Sequence, residues 1–141
     1  MARLYGTPKK NEAEPCDFAS FFYVRKFCSF AVAKGEIMEN ILTALKQLAT
    51  KVIPSGGEAL LFGSQARGTA HPQSDWDVLL ILNKDTLSQS DYDAVSYPFV
   101  LLGCDLGEEI NPILYTQKEW QSYKATPFYE NVQQDAVNLL S

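Results

Sequence analysis

Between residues 61 and 82 the chain reads LFGSQARGTAHPQSDWDVLLIL, in which Gly63-Ser64 is separated by ten residues from Asp75-Trp76-Asp77. Each of these residue types suits the handling of phosphate. A glycine turns the backbone tightly and lets a phosphate approach without meeting a Cβ, while the Ser64 hydroxyl and neighbouring N–H groups can donate to phosphate oxygens. A helix opening near Gln65 would add the partial positive charge of its N-terminus at the same place. In an extended strand, residues two apart point to one side, so Asp75 and Asp77 project together and Trp76 faces away. Two carboxylates about 4 Å apart repel by roughly 4 kcal/mol at an effective dielectric near 20. A bridging divalent cation turns that repulsion into binding. An all-oxygen donor set beside phosphates suits Mg²⁺, and two such ions roughly 4 Å apart can serve the attacking and leaving oxygens of an in-line displacement. The pattern therefore reads as metal-assisted phosphoryl or nucleotidyl transfer.

The elements that would position these groups follow from hydrophobic periodicity. Residues 36–52 repeat Ile37, Ile41, Ala44, Leu45, Leu48 and Val52 every three or four positions, which predicts an amphipathic helix ended by Pro54-Ser55-Gly56-Gly57. Residues 59–62 and 77–82 read as buried strands on either side of the polar segment, and the second, apolar on both faces, belongs inside a covered sheet. A helix opens at Ser90, and Pro98 predicts that it ends or bends near Tyr97. Residues 109–115 alternate as a third strand, with Pro112 pointing to an edge or a bulge. Helices are expected over 117–124 and, with Pro127 at a favoured first position, over 127–140. This order predicts an α/β (α+β) domain with a small mixed β-sheet covered by helices.

Composition narrows the class. The 141 residues carry 12 Lys+Arg against 17 Asp+Glu, for a formal net charge of −5. Residues 59–141 hold four of those basic and eleven of those acidic side chains. An acidic body argues against extended binding along a nucleic-acid backbone, which needs Lys and Arg to displace counterions. Cys16, Cys28 and Cys104 are odd in number and lack a C-x-x-C, so neither a disulfide framework nor a zinc site is expected, and a reducing cytoplasm is the natural compartment. Residues 16–33 are rich in aromatics, but Arg25 and Lys26 interrupt them, so no membrane span is expected. Residues 1–35 are taken as an N-terminal extension of uncertain role and residues 36–141 as the functional domain, with Met38 an alternative start.

Gly63-Ser64, ten residues, then Asp75-x-Asp77 resembles the signature of the DNA polymerase beta-type nucleotidyltransferase superfamily, and the short chain is similar to its minimal members. The likeness spans about residues 37–141. It implies a polymerase beta-like nucleotidyltransferase fold, ATP or another NTP as substrate, Mg²⁺, Gly63 and Ser64 at the phosphates, and Asp75 and Asp77 as metal ligands. It also implies a third carboxylate on a later strand, as general base or metal ligand; Glu108 and Glu109 are the candidates and Glu109, which leads into the strand, is preferred. Minimal members often act as antitoxins beside a helical HEPN-domain toxin, some by transferring AMP to its tyrosine, so a protein partner of that type is implied. Arg67, four residues after Gly63, is either a phosphate ligand or a surface arginine paired with an acid. His71 and Lys84 read as exposed, Ser74 as a turn cap, and Trp120, Tyr123, Phe128 and Tyr129 as core packing, with an exposed partner-binding face the alternative for some of them. Two alternatives to a protein-modifying transferase are a nucleotide-binding antitoxin that acts by occlusion and a small-molecule nucleotidyltransferase completed by dimerisation.

Overall fold

The computed structural model describes residues 34–141. The expected N-terminal extension, with its aromatic stretch, falls almost wholly outside these residues. Helix α1 (Lys34–Val52) buries Ile41, Leu45 and Ala49 along one stripe, as the 3.6-residue period requires. Strand β1 (Glu58–Phe62) follows, then the single helical turn α2 (Ser64–Arg67) and strand β2 (Trp76–Leu82). Next come α3 (Gln89–Asp91), a π-helical turn (Tyr92–Ser96) and α4 (Tyr97–Leu106). Strand β3 (Ile110–Thr116), α5 (Gln117–Ser122), α6 (Pro127–Asp135) and β4 (Val137–Asn138) complete the described chain.

The four strands form one mixed sheet in the order β3-β2-β1-β4. β2 pairs antiparallel with β1 and parallel with β3, so it is flanked on both edges, and its last five residues are almost wholly buried. The mixed sheet with helical cover matches the fold class expected from the sequence. Because side chains alternate, the sheet has two distinct faces. Val78, Leu80 and Leu82 of β2 join Leu45, Ala49 and Phe99 in an aliphatic core beneath α1 and α4. Leu79 and Ile81 pack instead against Trp120 and Val132, with Tyr123, Phe128 and Tyr129 around them. Of the C-terminal aromatics Trp120 is buried and Tyr123, Phe128 and Tyr129 pack half-buried around it; Trp120 meets Phe128 edge-on at 5.6 Å and Tyr129 at 4.8 Å between ring centroids. Among the described strands β3 lies at the edge, the first of the two places that Pro112 implied, since a residue without an N–H is tolerated where one side needs no partner.

Three expectations need adjustment. Of the end or bend expected near Tyr97, the structure shows an irregularity and no end: the helix runs on through a π turn at Tyr92–Ser96 into Tyr97–Leu106. A π turn absorbs the proline: the Tyr97 N–H bonds to Tyr92 O, and Pro98 falls at the opening positions of α4, where its missing donor leaves no gap in that helix's own ladder. The last helix ends at Asp135 rather than near residue 140. Ala136 turns extended, Val137 and Asn138 pair with Leu61 and Leu60, and Leu139 is buried beneath α1 with its N–H on Ala59 O at 2.9 Å. Cys104 is disulfide-bonded, although the odd and scattered cysteines led to no disulfide framework being expected. An odd count excludes complete pairing, not a single bridge. Among the described residues no helix is long and apolar enough to cross a membrane.

Candidate active site

The polar end of the sheet is assembled from three connections. Leaving β1, the chain passes through Gly63 at φ +83° and ψ −159°, a region essentially restricted to glycine. A Cβ on Gly63 would lie 2.6 Å from Asp77 Oδ2, so the absence of a side chain is what lets this backbone lie against the carboxylate. Ser64, half-buried, then begins α2, whose single turn closes with the Arg67 N–H on Gly63 O and ends at left-handed Gly68. The helix expected from Gln65 is therefore only one turn long. Any positive potential there comes from its own first N–H groups rather than from a long macrodipole.

The segment between Gly68 and Asp75 is held at its far end. Ser74 is buried; its hydroxyl accepts from the His71 N–H at 2.9 Å, its own N–H donates to His71 O, and Gln65 Nε2 donates to Ser74 O at 3.2 Å. Ser74 is thus the turn cap that its residue type suggested, and His71 is exposed. The strand entered from this loop starts at Trp76, and Asp75, just ahead of it, shares with Asp77 the Asn111 amide as hydrogen-bond partner. The Trp76 indole donates to Glu108 Oε2 at 3.1 Å. That contact commits Glu108 to the face opposite Asp77.

Across the parallel ladder Trp76 pairs with Ile110 and Asp77 with Asn111. Asn111 Nδ2 donates to Asp75 Oδ2 at 3.1 Å, and the same amide bonds to Asp77. Glu109 precedes β3 directly, is half-buried, and accepts the Trp76 N–H with its backbone oxygen at 2.9 Å. Among the described residues no three His, Cys, Asp or Glu side chains gather closely enough to hold a metal ion. The side chain that the ladder sets beside the aspartate pair is a neutral amide, a residue that sequence reasoning passed over. Only the register reveals it, because Asn111 is 36 positions from Asp75.

Burial raises the Asp77 carboxyl above the ordinary aspartate value of 3.8; the Asn111 hydrogen bond opposes this, the Asp75 charge adds to it, and Arg67 opposes it. Arg67 is therefore near enough to be felt at the pair, while its guanidinium also meets Asp135 of α6 at 3.6 Å. Lys84 stands away from this corner and binds both oxygens of Asp91 at 2.8 Å, an ion pair that helps hold the Asp91 carboxyl down at about 2. The arrangement fits a divalent cation with phosphate: two carboxylates that share one amide crowd negative charge, all their donors are hard oxygens, and the adjoining glycine backbone leaves room for an anion.

The family model of the nucleotidyltransferase domain matches residues 38–132. Among solved structures, a proposed nucleotidyltransferase from Sulfolobus solfataricus superposes with a TM-score of 0.51 at 22% identity, covering 77% of this chain and 89% of that one. A toxin-antitoxin with AMP-PNP superposes with a TM-score of 0.51 at 23% identity, covering 70% of this chain and 71% of that one. At such identities these two likenesses speak to the fold. No curated protein matches the sequence.

Proposed function

The chain belongs to the nucleotidyltransferase domain family, and on that premise we propose that it binds a nucleoside triphosphate, ATP by preference, with Mg²⁺ and transfers the nucleoside monophosphate to a hydroxyl of a partner protein. The observation that carries this reading is the contact of the Gly63 backbone with the Asp77 carboxylate, which joins a phosphate-accepting turn to a pair of metal-binding oxygens. In the proposed reaction the acceptor oxygen bonds to the α-phosphorus, the bond to the bridging oxygen breaks, and pyrophosphate leaves with that oxygen. Gly63 and Ser64 hold the phosphates, and Arg67 turns from Asp135 to neutralise them. Asp75 and Asp77 would hold the cation, which would supply charge to offset the phosphates. Glu109 is the carboxylate proposed to take the acceptor proton.

A helical HEPN-type protein is the proposed partner, supported by the fold shared with the toxin-antitoxin. The proposed compartment is the cytoplasm, where ATP is supplied. One observation favours a second reading, a nucleotide-binding module that neutralises its partner by occlusion: the amide of Asn111, and not a third carboxylate, lies beside the aspartates.

The test is incorporation of label from ATP into protein, with pyrophosphate release, in Mg²⁺ and host lysate. The wild type should label a discrete band and Asp77→Asn should fall by at least about a hundredfold. Equal turnover in the variant would remove the aspartates from the chemistry. Bound ATP without pyrophosphate in the wild type would select the occlusion reading.

A further inference from the structure

Asn111 touches both carboxylates of the proposed cation site: Asp75 Oδ2 at 3.1 Å and Asp77, its partner across the ladder. A carboxamide nitrogen has donors only and no lone pair to offer a cation. While these bonds hold, an N–H group of the amide competes with a divalent ion for each carboxylate, at Oδ2 in the case of Asp75. No third acidic, histidine or cysteine side chain completes a metal-holding group with them among the described residues. Affinity for hard cations rises with the number of charged oxygen ligands, and two carboxylates alone make a weak site.

Resting on the functional reading above, we infer that Asn111 makes cation binding conditional on nucleotide. The amide ties Asp75 and Asp77 together in the nucleotide-free protein, and the phosphate oxygens of the nucleotide bring the negative charge that a third carboxylate would otherwise bring. Asn111 is a positioning residue that acts through the two aspartates. An aspartate in its place would set three carboxylates on adjacent strands, which repel when bare and bind an ion without help. The neutral side chain therefore keeps the empty corner tolerable and delays metal capture until the substrate arrives. Asn111 is exposed on an edge strand, so replacing it leaves the core untouched.

Mn²⁺ titration followed by electron paramagnetic resonance of the free ion, on the full chain with and without AMP-PNP, tests this directly. Wild type should bind Mn²⁺ about tenfold more tightly with AMP-PNP than without it. Asn111→Asp should bind Mn²⁺ alone about tenfold more tightly than wild type and lose most of the nucleotide dependence, and Asn111→Ala should gain about threefold through loss of the competing donor. Wild type binding Mn²⁺ equally well with and without AMP-PNP overturns the inference. So does an Asn111→Asp protein that matches wild type without nucleotide, and in that case, with AMP-PNP-dependent binding intact, the functional reading stands. Absence of Mn²⁺ binding in every sample with AMP-PNP removes both. Should Asn111→Asp not fold, Asn111→Ala decides, and binding no tighter than wild type refutes the proposal.

Discussion

Val78, Leu80 and Leu82 look toward α1 and α4 into a core closed by Leu45 and Phe99, whereas Leu79 and Ile81, one position out of phase, look toward the rings on α5 and α6. The two faces differ most at the start of the strand. On the aliphatic face the apolar row continues to Trp76, which is buried and seals the end of the core with its indole N–H on Glu108. On the aromatic face the row stops at Leu79, and the next positions outward are Asp77 and Asp75. One strand thus closes a core on one side and opens a polar corner on the other, and the alternation of side chains suffices to do both. The aromatic layer is the floor of that corner, since Phe62, the ladder partner of Asp77, packs edge-on to Phe128 at 5.6 Å.

Truncation on each face separates these roles. Phe99→Ala and Trp120→Ala should each cost about 3–5 kcal/mol in denaturant unfolding, because both side chains are buried. Binding of a nucleotide analogue, measured below the unfolding transition, should survive Phe99→Ala and weaken in Trp120→Ala; equal effects on binding would erase the distinction between the faces. A smaller effect is expected at the join. Gly63→Ala forces both a left-handed φ and a contact of 2.6 Å with Asp77, and should cost about 1–3 kcal/mol together with loss of analogue binding. The smallest effect concerns pH. The folded state raises the Asp77 carboxyl, so it holds a proton more firmly than the unfolded chain, and stability falls as pH climbs from 3.8 through the higher folded value. Asp77→Asn should flatten that fall and leave the variant the more stable protein at neutral pH; a thermal-melt series showing a steeper fall in the variant would contradict it.

Most of the framework was legible because it is local. The spacing of Ile41, Leu45 and Leu48 and the unbroken run Val78 to Leu82 need no distant partner to be read, and Pro112 declares an edge or a bulge by its chemistry. What escaped reading depends on residues far apart in the chain. A two-residue strand such as Val137–Asn138 has no period, and it exists because β1 offers an open edge there. Pro98 announces an end or a bend without telling which, because the π turn ahead of it leaves no signature in the sequence. At the site, the Gly-Ser and Asp-x-Asp pieces were legible as types, and their meeting at Gly63 and Asp77 follows from antiparallel pairing of adjacent strands. The Asn111 amide was not legible, since it reaches Asp75 only through a parallel crossover, and nothing local distinguishes it from any other asparagine before a proline.

The π turn at Tyr92–Ser96 also sets the phase of everything after it. Each residue advances an α-helix by about 100°, so the extra residue that a π turn accommodates decides which side of α4 meets the sheet. Val95 and Phe99 point into the core with the turn in place. Deleting Ala94 would swing the downstream helix by about a quarter turn, carry Phe99 toward solvent, and present Pro98 with a carbonyl it cannot satisfy. The local irregularity works as a fixed rotational offset between the two halves of one helix, and the core is cut to that angle.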